Sequence, residues 1–157
     1  MKLSDIICFD AVIAQLKSKQ RDDVIRELVE ALSRCGKIPK DSSGSIAKSV
    51  IKRENEASTG IGKGVAVPHV KSPTVKDPVA VIGCSPDGLD FSSLDKQPVY
   101  SVILLISPAD NPDKHLQAME TLFRNLHKDD FRRFLRQAQN VEEIREIVLD
   151  TDSGGID

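Results

Sequence analysis

The apolar positions of this chain read as helix, then strand, then helix again. From Asp22 onward, Val24, Leu28, Ala31, Leu32 and Cys35 recur at the spacing of one helical stripe, with Gly36 and Pro39 placed to end it. A second, shorter helix is predicted over Ser45–Glu54, with Ile46, Val50 and Ile51 inward. The character then changes: Ser58-Thr59-Gly60-Ile61-Gly62-Lys63-Gly64 is a glycine-rich loop that leads into a short strand at Val65-Ala66-Val67.

Two longer strands are predicted at Val79–Cys84 and Val99–Ile106, separated by the turn signature Ser85-Pro86-Asp87-Gly88. Both are apolar almost without interruption, which fits strands buried on two faces and calls for helices on both sides of the sheet. The last third returns to helical spacing. Asp110-Asn111-Pro112 supplies a cap and a proline at the first helical position. Leu116, Met119, Leu122, Phe123 and Leu126 form one inward stripe, and Phe131, Phe134, Leu135 and Ala138 another. Asn140 with Glu143 opens a final helix. Residues 1–150 are read as a single mixed α/β domain, and residues 151–157 as a flexible tail.

Composition narrows the class. The chain has 157 residues, enough to bury roughly 70% of its unfolded surface in one domain. Its 22 Lys and Arg nearly balance 24 Asp and Glu, which argues against nucleic acid as a partner. Five Phe, one Tyr and no Trp leave few platforms for base stacking. The three cysteines, Cys8, Cys35 and Cys84, form no paired motif and fit a reducing compartment. The first residues carry acidic Asp5 and Asp10 and do not read as a signal peptide, and Val99–Ile106 is too short to span a bilayer. A cytoplasmic protein without membrane insertion is expected.

Candidate chemistry concentrates around the glycine-rich loop. A phosphate-binding P-loop would need a glycine where Ala57 stands and a Ser or Thr where Gly64 stands. The dinucleotide fingerprint fails at Val65, and both patterns require a strand before the loop and a helix after it. The loop instead aims at His69. Pro68 fixes its own backbone and drives Val67 into an extended conformation, so His69 emerges in a defined direction at the end of a short strand. A neutral imidazole is a competent nucleophile near pH 7. Arg53 offers a bidentate clamp for phosphate oxygens, and His115 lies in the first turn of a helix, where anions are favoured. Taken alone, Arg53 is equally a surface residue with a packed stem and His115 a helix-surface residue, while His127 reads as a solvated helix end. No ligand set for a metal is spaced diagnostically, and no cofactor is called for.

Glu54, Ile61-Gly62 and Val65-Ala66-Val67-Pro68-His69, with six spacers after Glu54 and two after Gly62, resemble the signature of the type 2 IIA phosphocarriers of the bacterial phosphoenolpyruvate-dependent sugar phosphotransferase system. These comprise fructose and mannitol IIA domains and nitrogen-regulatory relatives. Pro108-Ala109-Asp110 leading to His115-Leu116 is similar to the family's second histidine region, and the resemblance spans nearly the whole chain. One position departs: Val70 follows His69 where the family has a small residue, usually glycine, which puts the transfer rate in question.

The resemblance implies a three-layer sandwich, a mixed sheet flanked by helices on both faces. It implies that His69 is the tele-phosphohistidine, helped by Arg53 and His115. It also implies a phosphoryl carrier rather than a stand-alone small-molecule enzyme. The phosphate would come from a histidine phosphocarrier protein and pass to a IIB component. The alternative is a regulatory module whose target proteins sense the charge state of His69.

Overall fold

The structure is a computed structural model that describes residues 1–157. Six α-helices pack around one five-stranded sheet. The helices are α1 (Leu3–Ile6), α2 (Arg21–Arg34), α3 (Ser43–Glu56), α4 (Pro112–Leu126), α5 (Asp129–Gln137) and α6 (Val141–Asp152). The strands are β1 (Gly60–Gly62), β2 (Val65–Ala66), β3 (His69–Ser72), β4 (Val79–Leu89) and β5 (Val99–Pro108).

Strand β5 is central. Along one edge it pairs in parallel first with β2 and then with β3, and along the other it pairs antiparallel with β4. Its side chains alternate between two cores, as the two-residue period of a strand requires. Val102, Leu104 and Ile106 face α2 and α3, where Val24, Leu28, Leu32 and Val50 are buried. Ile103 and Leu105 face α1, α4, α5 and α6, among Leu122, Leu126, Phe131, Leu135, Ile144 and Val148. This is the expected three-layer arrangement, and it explains why β4 and β5 are apolar on both faces.

Several sequence expectations are corrected. The glycine-rich stretch is a hairpin rather than a loop: β1 pairs antiparallel with β2, and Lys63 (φ 59°) and Gly64 (φ 80°) make a turn with both central residues in the left-handed region. Glycine-rich composition hid β1, which depends on its partner strand for existence. Ser85–Gly88 does not turn the chain; β4 runs on to Leu89 through a bulge, its ladder partners slipping between Cys84 and Leu89. Pro86 has no N–H for the ladder, so pairing lapses there while the strand continues.

Leu116 is 58% exposed and not part of the α4 stripe. The buried positions are Ala118, Thr121, Leu122, Asn125 and Leu126, a helical period whose polar members do not register as hydrophobic. Thr121 and Asn125 are tolerated inside because Asn125 accepts from Thr151 Oγ1 at 3.0 Å and donates to the Thr121 carbonyl at 2.8 Å. That contact also corrects the flexible tail. Thr151 is buried, the Asp152 carboxylate accepts the Leu3 and Ser4 N–H groups of α1 at 2.7 and 2.9 Å, and Ile156 enters the core. Capping of the orphan donors at the start of α1 ties the two ends of the chain together.

Candidate functional site

His69 stands where a strand line is interrupted and resumes. β2 and β3 lie end to end against β5, with Val65 opposite Ser101 and His69 opposite Leu105. Between them Pro68 cannot donate, but its carbonyl still accepts from Leu105 N–H at 3.0 Å, so the register carries across the gap. His69 therefore opens β3 rather than closing a strand. Val65 and Val67 point to the α4 side of the sheet, and strand alternation sends His69 the same way. Its ring is half-buried.

The imidazole is locked. His69 Nδ1 lies 2.8 Å from the Val67 carbonyl oxygen. A carbonyl only accepts, so in the neutral ring Nδ1 carries the hydrogen and Nε2 keeps its lone pair. Val67 is itself held, because its N–H donates to the Thr59 carbonyl at 3.3 Å. Thr59 in turn donates its N–H and its hydroxyl to the buried Glu54 carboxylate at 2.7 and 2.6 Å. A chain of four residues thus runs from the end of α3 to the His69 ring.

His115 meets His69 from α4, whose first turn is capped by Asn111 accepting from Lys114 N–H at 3.3 Å, with Pro112 at its start. The two imidazoles are 5.7 Å apart between centroids and inclined by 38°. His115 Nδ1 lies 2.8 Å from Ser107 Oγ, a hydroxyl fully buried near the end of β5. Desolvation holds the His115 imidazole below its ordinary pKa, with the positive potential of His69 and Lys71 adding to the effect. Lys71 sits two residues beyond His69, hence on the same side of β3.

The structure brings His69 and His115 together but gives Arg53 a different bond. Its guanidinium, on the last turn of α3, donates to the Ala57 carbonyl at 2.8 Å and to neither histidine. His127 ends α4 in solvent, its ring 6.4 Å from that of Phe123. Val70 lies in extended β3 opposite Ile106, outside the positive-φ positions of the chain, and packs on the α2–α3 core. A β-branched residue suits that strand position, so nothing in the backbone there demands glycine. Ser107 and Lys71 were missed by the sequence reading. Their signals are slight: one hydroxyl in an apolar strand, and a two-residue step from His69.

Comparison with known proteins yields a consistent set. The family described as "Phosphoenolpyruvate-dependent sugar phosphotransferase system, EIIA 2" matches residues 6–151. The fructose-specific EIIABC component of Bacillus subtilis strain 168 is 31% identical over 152 residues, which is 97% of this chain but 24% of that protein. This chain therefore spans about a quarter of that relative. A nitrogen regulatory protein of Bradyrhizobium diazoefficiens is 26% identical over 94% of this chain and 95% of its own length. Among solved structures, nitrogen regulatory protein IIA-Ntr of Neisseria meningitidis superimposes with a TM-score of 0.82 at 23% identity, covering 93% of this chain and 98% of that one. The mannitol IIA of Escherichia coli, solved in complex with phosphorylated IIB, gives a TM-score of 0.74 at 19% identity, covering 89% and 94%. These two likenesses establish the fold.

Proposed function

The chain belongs to the EIIA 2 family of the phosphoenolpyruvate-dependent sugar phosphotransferase system, and from that premise we propose that it carries a phosphoryl group on Nε2 of His69. The observation that supports this most directly is the Val67 carbonyl 2.8 Å from His69 Nδ1, which leaves Nε2 as the nucleophile. In this reading the Nε2 lone pair attacks the phosphorus of a phosphohistidine on a histidine phosphocarrier protein. The new N–P bond forms as the donor's N–P bond breaks, and the electron pair returns to the donor imidazole. His69 keeps its Nδ1 hydrogen, and the positive charge that builds on its ring is stabilised by the carbonyl already bonded there. Passage to a IIB component reverses the same steps.

His115 serves as the neighbouring donor. With the Ser107 hydroxyl donating to Nδ1, the His115 hydrogen sits on Nε2 and is free to bond a phosphoryl oxygen. Lys71 and Arg53 add positive charge around the transferred group, Arg53 after leaving its bond to Ala57. The chain, its last residues included, would act as one EIIA domain in the cytoplasm, where such donors reside. The test is incubation with phosphoenolpyruvate, enzyme I and the histidine carrier. One acid-labile phosphate is expected on His69, and equal labelling of His69→Ala refutes the assignment.

The nitrogen regulatory relative, similar along nearly its whole length, favours a second reading. Here a target protein distinguishes the two states of His69, since phosphorylation adds up to about two negative charges at that surface. Pull-downs with native and phosphorylated protein decide it, and a partner set identical for both forms excludes the regulatory role.

A further inference from the structure

The lysine of the signature hairpin does not serve the histidine site. Lys63 turns at the end of β2 that pairs with Ser101, whereas His69 pairs with Leu105, four residues further along β5. At ~3.3 Å per residue in a parallel ladder the two places are about 13 Å apart along the strand. Around Lys63 lies a separate concavity of about 300 Å³, walled by Gly64, Pro98, Tyr100, Arg132 and Arg136.

Its cations, Lys63, Arg132 and Arg136, outnumber its one acid. Neither Lys63 nor Arg136 takes part in an ion pair, while Arg132 is paired with Asp129. Asp95 is the acid in the lining, and its two oxygens are occupied by the Lys63 and Gln97 N–H groups, each at 3.0 Å. Those bonds hold its carboxyl below the usual range, and no ion pair joins it to the side-chain cations. Arg136 is pre-oriented: its guanidinium carbon lies 3.6 Å from the centroid of the Tyr100 ring. A planar donor fork so placed matches a phosphate bidentately and gives up little freedom on binding.

We propose that this pocket binds a small phosphate monoester, with Arg136 and Lys63 on the phosphate and the Pro98–Tyr100 wall against the organic body. The volume is near the lower end of about 300–1,000 Å³ for ligand sites, which suits a single phosphorylated metabolite and not a dinucleotide. The site is distinct from His69 and stands or falls separately from the carrier reading.

Tyr100 is the only tyrosine of a chain without tryptophan, so intrinsic fluorescence reports on the pocket itself. The probes are glucose 6-phosphate, inorganic phosphate and glucose, titrated to about 10 mM, beyond the usual metabolite range of ~1 mM. Calorimetry serves as a second readout. Glucose 6-phosphate is expected to give a saturable change, inorganic phosphate to bind at least tenfold more weakly, and glucose to do nothing. Lys63→Gln and Arg136→Gln, both at exposed positions, should each weaken binding about tenfold, as expected for loss of a charge-assisted contact, and His69→Ala should leave it unchanged. The proposal is overturned by absence of saturation, by inorganic phosphate binding as tightly as the ester, or by weakening in His69→Ala equal to that in Arg136→Gln.

Discussion

Glu54 is the far end of the bonded chain that orients His69, and its removal has a size that follows from the geometry. The carboxylate is 2% exposed and accepts two bonds from Thr59, itself 7% exposed. Glu54→Ala deletes both charge-assisted bonds and strands the buried Thr59 N–H. A bond to a charged group contributes ~1.5–3 kcal/mol, and relief of the carboxylate's own desolvation returns part of it, so a net loss of about 3 kcal/mol is expected. For a chain of this length that corresponds to a fall in melting temperature of roughly 6–12 °C.

Glu54→Gln behaves differently. The amide oxygen still accepts the Thr59 N–H, and the amide nitrogen donates to the Thr59 hydroxyl, which reverses its role. Only charge assistance is lost, at a cost of about 1 kcal/mol. Calorimetry and urea titration at constant m-value measure both variants. The phosphorylation rate of His69 in the same variants checks the orienting role, with Glu54→Ala slowed about tenfold for ~1.4 kcal/mol lost at the transition state. An alanine variant within 1 kcal/mol of the native protein, or a glutamine variant as unstable as alanine, refutes the chain of bonds as drawn.

Ser107→Ala removes the partner of His115 Nδ1 and frees the ring's tautomer; a roughly tenfold slower phosphoryl transfer with the fold intact is expected, measured by single-turnover transfer beside circular dichroism. The His115 imidazole is harder to protonate in the folded chain than in the unfolded one, where 6.5 is the reference value. As pH falls below 6.5 the unfolded state takes up the proton first, so stability declines toward lower pH until the folded-state value is passed and then levels off. His115→Gln should flatten that part of the melting-temperature profile, and an unchanged slope would assign the effect to other groups.

Much of this protein was determined by local sequence. The α2 stripe, the Asn111 and Asn140 caps and the doubly buried β4 and β5 follow from periodicity and capping chemistry that act within a few residues. The signature around Val65–His69 likewise pointed to the family whose model matches residues 6–151. What it did not carry is contact between distant segments. Strand β1 is made by its partner, because glycines have no preference of their own for pairing. Thr121 and Asn125 are inside because Thr151 reaches them from α6, and the last residues are ordered by the first turn of α1. The meeting of His69 with His115, the buried Ser107 beside it and the free cations around Tyr100 depend on how the strands register against β5. Register is set by the packing of two cores at once, and no local pattern contains that sum.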